Sequence, residues 1–171
     1  PEETVLEKSA PDWAVTGTEC KRPHNIINSL YLTPNALEDL VRARYERYKI
    51  VEEKEQRAEE YRTEDADVIV VAYGASSRVA RSAVNKAREA GKKVGLIRPI
   101  TLWPFPKDAI KRAADHAKEL LVVEMSMGQM VDDVRLAIHD QKPVEFYGRT
   151  GGMIPTPAEV LGAIKKAGGV L

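Results

Sequence analysis

The sequence predicts an α/β fold: a mostly parallel sheet with helices on both faces. Three features carry that expectation. Val68-Ile69-Val70-Val71-Ala72-Tyr73 is apolar without alternation, the pattern of a strand covered on both sides. Strand-like and helix-like segments then alternate four times, which calls for right-handed crossovers between parallel strands. Gly74 and Gly91 punctuate the first repeat at the strand end and the helix stop.

Residues 1–33 read as an irregular connector. Pro1, Pro11, Gly17, Pro23 and Pro34 forbid long regular elements, Trp13 is the expected anchor, and 26–32 is the one short strand candidate. A long charged helix is expected over 34–62, with Thr33 as N-cap and Pro34 in the first helical position. Leu37, Val41, Tyr45, Tyr48 and Val51 give it a narrow apolar stripe. Glu38–Arg42 and Glu53–Arg57 are i,i+4 pairs, each contributing about 0.2–0.5 kcal/mol.

The compact α/β domain is expected over 63–171. Its first helix follows Ser76-Ser77 and turns Val79, Ala80, Ala83, Val84, Ala87 and Ala90 inward. The second strand is 94–97, followed by the rigid corner from Arg98 to Pro106. A helix over about 106–117 buries Ala109, Ile110, Ala113 and Ala114. The third strand is 120–124, and the helix after it buries Met130, Val131, Val134 and Ile138. The fourth strand is 144–147, and the last helix opens with a capping box from Thr156 to Glu159.

Composition narrows the function classes. The chain has 171 residues, 43% hydrophobic and 30% charged, with 26 basic and 26 acidic side chains. Such a balance offers no global field for nucleic acid, and no apolar run approaches the roughly 18 residues of a membrane span. The single Cys20 excludes an internal disulfide and a cluster held by about four thiolates, and a reducing cytoplasmic location is expected. Because it begins at Pro1 with no signal-like segment, the sequence reads as a piece of a longer polypeptide.

In a wound sheet the loops at the carboxyl ends of the strands converge. Gly74, Ser76, Ser77 and Arg98 are the candidate anion-binding residues there, set by a helix N-terminus beside an arginine. Neither a Walker A loop nor a G-x-G-x-x-G pattern occurs. Trp103, Phe105, Glu124 and Arg149 are expected at an interface, with Glu124 paired to a nearby arginine. His24, His116 and His139 are too dispersed for metal-ligand spacing, and His116 and His139 are expected at the surface or at helix ends.

Ala66-Asp67-Val68 through Gly74 and the run Gly95–Pro106 resemble the second domain of 2-oxoacid:ferredoxin oxidoreductase alpha subunits. Val122–Met125, Gly128–Met130, Phe146–Arg149 and Gly151-Gly152 fit the same pattern, as do Pro11-Asp12-Trp13 and Glu60-Tyr61-Arg62 before it. The likeness is to the 2-ketoisovalerate type, with 2-oxoglutarate enzymes close behind. It implies a transketolase C-terminal-like, three-layer α/β/α sandwich whose largely parallel sheet has one reversed strand.

The resemblance also implies a holoenzyme that decarboxylates a 2-oxo acid on thiamine diphosphate with Mg2+, reduces ferredoxin through iron–sulfur clusters and releases an acyl-CoA. It implies beta, gamma and ferredoxin-like partner subunits. The Gly-Asp-Gly motif that holds diphosphate and magnesium is absent here, as are cluster cysteines, so no catalytic residue is assigned. The leading expectation is an assembly domain packing on catalytic domains or on a second copy of itself, as a homodimer. The alternatives are an anion- or nucleotide-binding regulatory domain and an independent flavodoxin-like domain; the latter is disfavoured because no Ser/Thr-rich flavin-phosphate loop follows the first strand.

Overall fold

The computed structural model describes residues 11–168, so the first ten residues of the expected connector lie outside the described residues. The chain divides into two compact units, Pro1–Tyr45 and Glu46–Leu171. Within the first unit, Ala14 N–H donates to the Pro11 carbonyl at 2.8 Å and the Asn25 amide donates to the Asp12 and Ala14 carbonyls. Residues 26–32, expected as a short strand, are irregular and pair with no strand among the described residues. Trp13, the expected anchor, is 65% exposed.

Helix α1 runs Pro34–Lys54, and its first bond goes from Leu37 N–H to the Thr33 carbonyl. The Glu38–Arg42 pair forms at 2.6 Å. The helix stops eight residues before the expected end at 62, and β1 (Ala58–Tyr61) replaces its tail. Arg57 therefore pairs with Glu55 and not with Glu53. Local helix propensity in this Glu- and Arg-rich stretch is overridden by tertiary pairing. The open edge of β3 (Val94–Pro99) takes β1 antiparallel, with Glu59 opposite Arg98 and Tyr61 opposite Leu96.

The remaining elements are β2 (Val68–Ala72), α2 (Gly74–Glu89), α3 (Lys107–His116), β4 (Glu119–Glu124), α4 (Met130–Ile138), β5 (Val144–Gly148) and α5 (Pro157–Ala167). The sheet order is β1-β3-β2-β4-β5, and every pair except β1–β3 is parallel. The reversed strand implied by the resemblance is thus β1.

Successive strand residues point to opposite faces, and both faces are covered. Ile69, Val71, Ile97, Leu120 and Val122 meet Ile110 of α3 and Val131, Val134 and Ile138 of α4. Val70, Ala72, Leu96, Leu121 and Val123 meet Ala80, Ala83 and Val84 of α2 and Val160 and Ile164 of α5. This explains the unbroken apolar run in β2, whose five residues are all buried. Each fully buried Val, Leu or Ile contributes about 1.5–3 kcal/mol.

The helix ends follow sequence chemistry. Gly91 sits at φ +76°, with its N–H on the Arg88 carbonyl and Lys92 N–H on that of Ala87, a Schellman stop. The capping box of α5 is complete: Thr156 Oγ1 accepts from Glu159 N–H, and the Glu159 carboxylate accepts from Thr156 N–H.

Candidate functional site

Strand β2 lies at the centre of the sheet, where its crossovers diverge. The helix after β2 packs on one face and the helix after β4 on the other, so the carboxyl ends of β2 and β4 form a topological switch point. The predicted residues gather around this edge, although in separate surroundings.

Gly74, Ser77 and Arg98 line one cleft, joined by Arg78, Arg81 and Glu59. Gly74 opens α2 at φ +56°, and Tyr73 gives this helix no side-chain cap. Ser77 is buried, and its hydroxyl donates to the Gly74 carbonyl at 2.7 Å. Ser76 is also buried but does not line the cleft.

Glu59 reorganises this region. Its carboxylate accepts from Arg81 and, at 3.2 Å, from Arg98. The Arg81 hydrogen bond, followed by that of Arg98, holds the Glu59 carboxyl below its ordinary range. Arg81 also lies over the Tyr61 ring at 4.4 Å. Sequence reasoning missed Glu59, because the residue falls in the stretch expected to be helical. Its partners are 22 and 39 residues away, so no local signal exposes them.

Glu124 is only 1% exposed, which removes it from any interface, and no arginine among the described residues pairs with its carboxylate. Its oxygens accept from Met130 N–H and Val131 N–H at 3.0 Å, from Gln129 N–H at 3.3 Å and from the Ser126 hydroxyl at 3.1 Å. Gln129 supplies no side-chain cap of its own, so Glu124 caps α4 from the preceding strand. The intervening turn uses Gly128 at φ +112°, where an added Cβ would stand 3.2 Å from Val131 Cγ1.

Arg149 donates from Nη1 to Glu159 at 2.9 Å, tying the end of β5 to the capping box of α5. Thr156 N–H, its hydroxyl and the Arg149 charge together keep the Glu159 carboxyl low. Arg149 is half-buried in this tie.

Trp103 precedes Pro104 through a cis bond, is 56% exposed and meets Tyr48 edge-on at 5.2 Å between ring centres. Phe105, expected beside it at an interface, is only partly exposed and packs against the core on the α3 and α4 side. The flanking Pro104 and Pro106 are buried, which turns Phe105 inward and Trp103 outward. Ile50, Ile100 and Leu102 are also about half exposed.

His116 ends α3, with Nε2 at 2.7 Å from the Thr63 carbonyl, and His139 closes α4 in the left-handed region. Both are helix-end residues, as expected. No group of three or more His, Cys, Asp or Glu among the described residues could hold a metal ion. Glu124, the carboxylate nearest the switch point, spends its acceptors on backbone N–H groups. Among the described residues the donor set therefore fits neither magnesium diphosphate nor an iron–sulfur cluster.

Residues 66–160 match the family described as pyruvate:ferredoxin oxidoreductase core domain II. The chain belongs to this family. Core domain II here carries an alpha-subunit pattern: ketoisovalerate oxidoreductase subunit VorB of Methanothermobacter thermautotrophicus is 44% identical over 169 residues, covering 99% of the chain and 47% of VorB. The 2-oxoglutarate synthase subunit KorA of Methanothermobacter marburgensis is 43% identical over 102 residues, 60% of the chain and 27% of KorA. The chain spans about half the length of the VorB relatives it matches.

The chain also resembles, at TM-score 0.68 and 25% identity, a 2-oxoglutarate:ferredoxin oxidoreductase from Magnetococcus marinus bound to 2-oxoglutarate, coenzyme A and succinyl-CoA. That match covers 80% of the chain and 24% of the enzyme. A split-gene transketolase shares the fold, at TM-score 0.56 over 65% of the chain and 41% of the transketolase. The α/β sandwich with a mostly parallel sheet is that of the transketolase C-terminal and pyruvate:ferredoxin oxidoreductase domains. No helix among the described residues is long and apolar enough to cross a membrane.

Proposed function

We propose that this chain is the assembly domain of the alpha subunit of a cytoplasmic 2-ketoisovalerate-type 2-oxoacid:ferredoxin oxidoreductase. The holoenzyme oxidatively decarboxylates the 2-oxo acid to an acyl-CoA and passes the electrons to ferredoxin. Thiamine diphosphate, Mg2+ and iron–sulfur clusters sit on other domains or on the beta, gamma and ferredoxin-like subunits. The similarity to VorB along nearly the whole chain supports the substrate class.

The observation that carries the assembly role is the aromatic corner. Trp103 projects from a proline-framed turn, backed by Tyr48 and flanked by exposed Ile100 and Leu102. A rigid, half-exposed tryptophan amid aliphatic side chains is the composition of an interface anchor. In the holoenzyme, Trp103→Ala and Leu102→Asp together are expected to weaken subunit association at least about tenfold and to lower ferredoxin reduction in parallel. Sedimentation of the reconstituted complex measures the first quantity. Unchanged association by a variant that melts like the parent would remove the assembly role.

A second reading has one observation in its favour. Gly74, Ser77 and Arg98 share a cleft with Arg78 and Arg81, which suits the regulatory anion- or nucleotide-binding alternative. Glu59 competes with any anion there. Glu59→Gln is therefore expected to raise inorganic phosphate affinity in calorimetry and Arg98→Ala to abolish it. No phosphate heat in either protein would eliminate this reading.

A further inference from the structure

At the opposite, amino-terminal edge of the sheet lies a second cleft, of about 290 Å³. Val68 and Val94 open β2 and β3 at its floor, and Ala87, Leu161 and Ile164 wall it from α2 and α5. Its rim is basic: Lys86, Lys92, Lys93, Lys118 and Lys165 surround an opening that also contains Asp67 and Glu119.

Part of this charge has a structural explanation. Lys86 and Lys165 occupy the last turns of α2 and α5, where cations complement the carbonyl ends of helices. Lys118 pairs with Asp67 at 3.3 Å. Lys92 has no such account, and Lys93 has only a share of Asp65, whose carboxylate already accepts from Arg88. Both lysines sit on the α2–β3 loop, after the helix carbonyls have already been closed by Gly91 and Lys92 N–H groups. The loop is held in place, since the Lys93 carbonyl accepts from both Asp67 N–H and Val68 N–H. Two lysines on an ordered stretch of backbone thus line an apolar recess.

An apolar body and an anionic end would both be satisfied here, because five lysines face two carboxylates at the rim. The volume lies near the lower end of small-molecule sites, roughly 300–1,000 Å³. Lysine ammoniums act as point charges and place no demand for a planar, bidentate partner. We infer that this cleft binds a small amphiphilic anion, an aliphatic carboxylate whose chain enters between α2 and α5 while its headgroup meets Lys92 and Lys93. The site lies across the sheet from the aromatic corner's strand ends and does not depend on the assembly reading.

The probe is octanoate, titrated into the full 171-residue chain and followed by amide chemical shifts, with octylammonium as the charge-reversed control. Octanoate is expected to saturate, to shift amides at 93–94 and 161–168, and to bind at least about tenfold more tightly than octylammonium. Lys92→Glu with Lys93→Glu is expected to cost at least about tenfold in affinity, and Ala90→Leu, which fills the recess from the exposed end of α2, to abolish binding. Both changes lie on exposed positions, and unaltered thermal melts check that the fold survives. Equal affinity for the two probes, or undiminished octanoate binding by either variant, overturns the inference. So does the lack of saturation by about 10 mM octanoate in a folded parent chain.

Discussion

Two glutamates hold the carboxyl edge of this sheet, and their oxygens are satisfied by different means. Glu124 is fully buried and accepts from backbone N–H groups and one hydroxyl, all within seven residues in sequence. Glu59 is partly exposed and sits between the guanidinium groups of Arg81 and Arg98. The first joins a strand to the helix that follows it. The second fastens an edge strand to parts of the chain far away. Burial, more than formal charge, decides which matters more to stability. Taking a partner from a buried carboxylate cluster strands polar groups without water, whereas an exposed pair reverts to hydration.

The largest expected effect tests the buried member. Glu124→Ala leaves the N–H groups of Met130 and Val131, both buried, without acceptors and is expected to cost about 3 kcal/mol. Urea unfolding of the folded chain reads this as a lower midpoint at unchanged slope. A loss equal to that of an exposed salt bridge would erase the distinction between the two sites.

Glu59→Gln is the middle case. With its side chain and that of Arg81 each more than a third exposed, the expected loss is under about 1 kcal/mol near neutral pH. The sign with pH follows from the arginines, which lower the folded carboxyl. Stability from this group is present above the unfolded glutamate value of about 4.3 and is lost as pH falls through the lower folded value. The melting temperatures of parent and variant should therefore converge in acid. Divergence that grew below pH ~4 would mean that the arginines do not stabilise the ionised form.

The same contrast explains what the sequence could disclose. The βαβ unit from Val68 to Ile97 was legible because its signals are local: an unbroken apolar strand, an inward alanine face and a glycine stop. Strand β1 was not. Ala58-Glu59-Glu60-Tyr61 has no strand pattern by itself, and it pairs only because β3 offers an open edge and Arg98 faces Glu59. The resemblance implied a reversed strand without locating it. At the candidate anion site the convergence of Gly74, Ser77 and Arg98 was legible from strand-end topology, yet Glu59 between the arginines was not. Sequence pattern puts Glu124 at a strand end, but it points to an arginine as the partner, which the structure does not supply. The nearer partners were the backbone donors of an uncapped helix, with Gln129 as the sign that α4 lacked its own cap.

A third glutamate extends the comparison to the opposite edge with the sign reversed. Glu119 opens β4, and burial, then the charge of Glu145, raise its carboxyl above the ordinary range. No cation offsets this enough to favour ionisation, so the folded state binds the proton more tightly than the unfolded chain does. Its ionisation therefore destabilises the fold as pH rises from the unfolded value of about 4.3 through the higher folded value, and the penalty persists at neutral pH. Glu119→Gln is expected to stabilise the chain by roughly a few tenths of a kcal/mol at neutral pH and to lose that advantage in acid. Paired melts of parent and variant across this range read the small difference directly. A variant less stable than its parent at neutral pH would show that Glu119, like Glu59, is held by cations, and the lysine-rich edge would then be paired within the fold and not open to an outside anion.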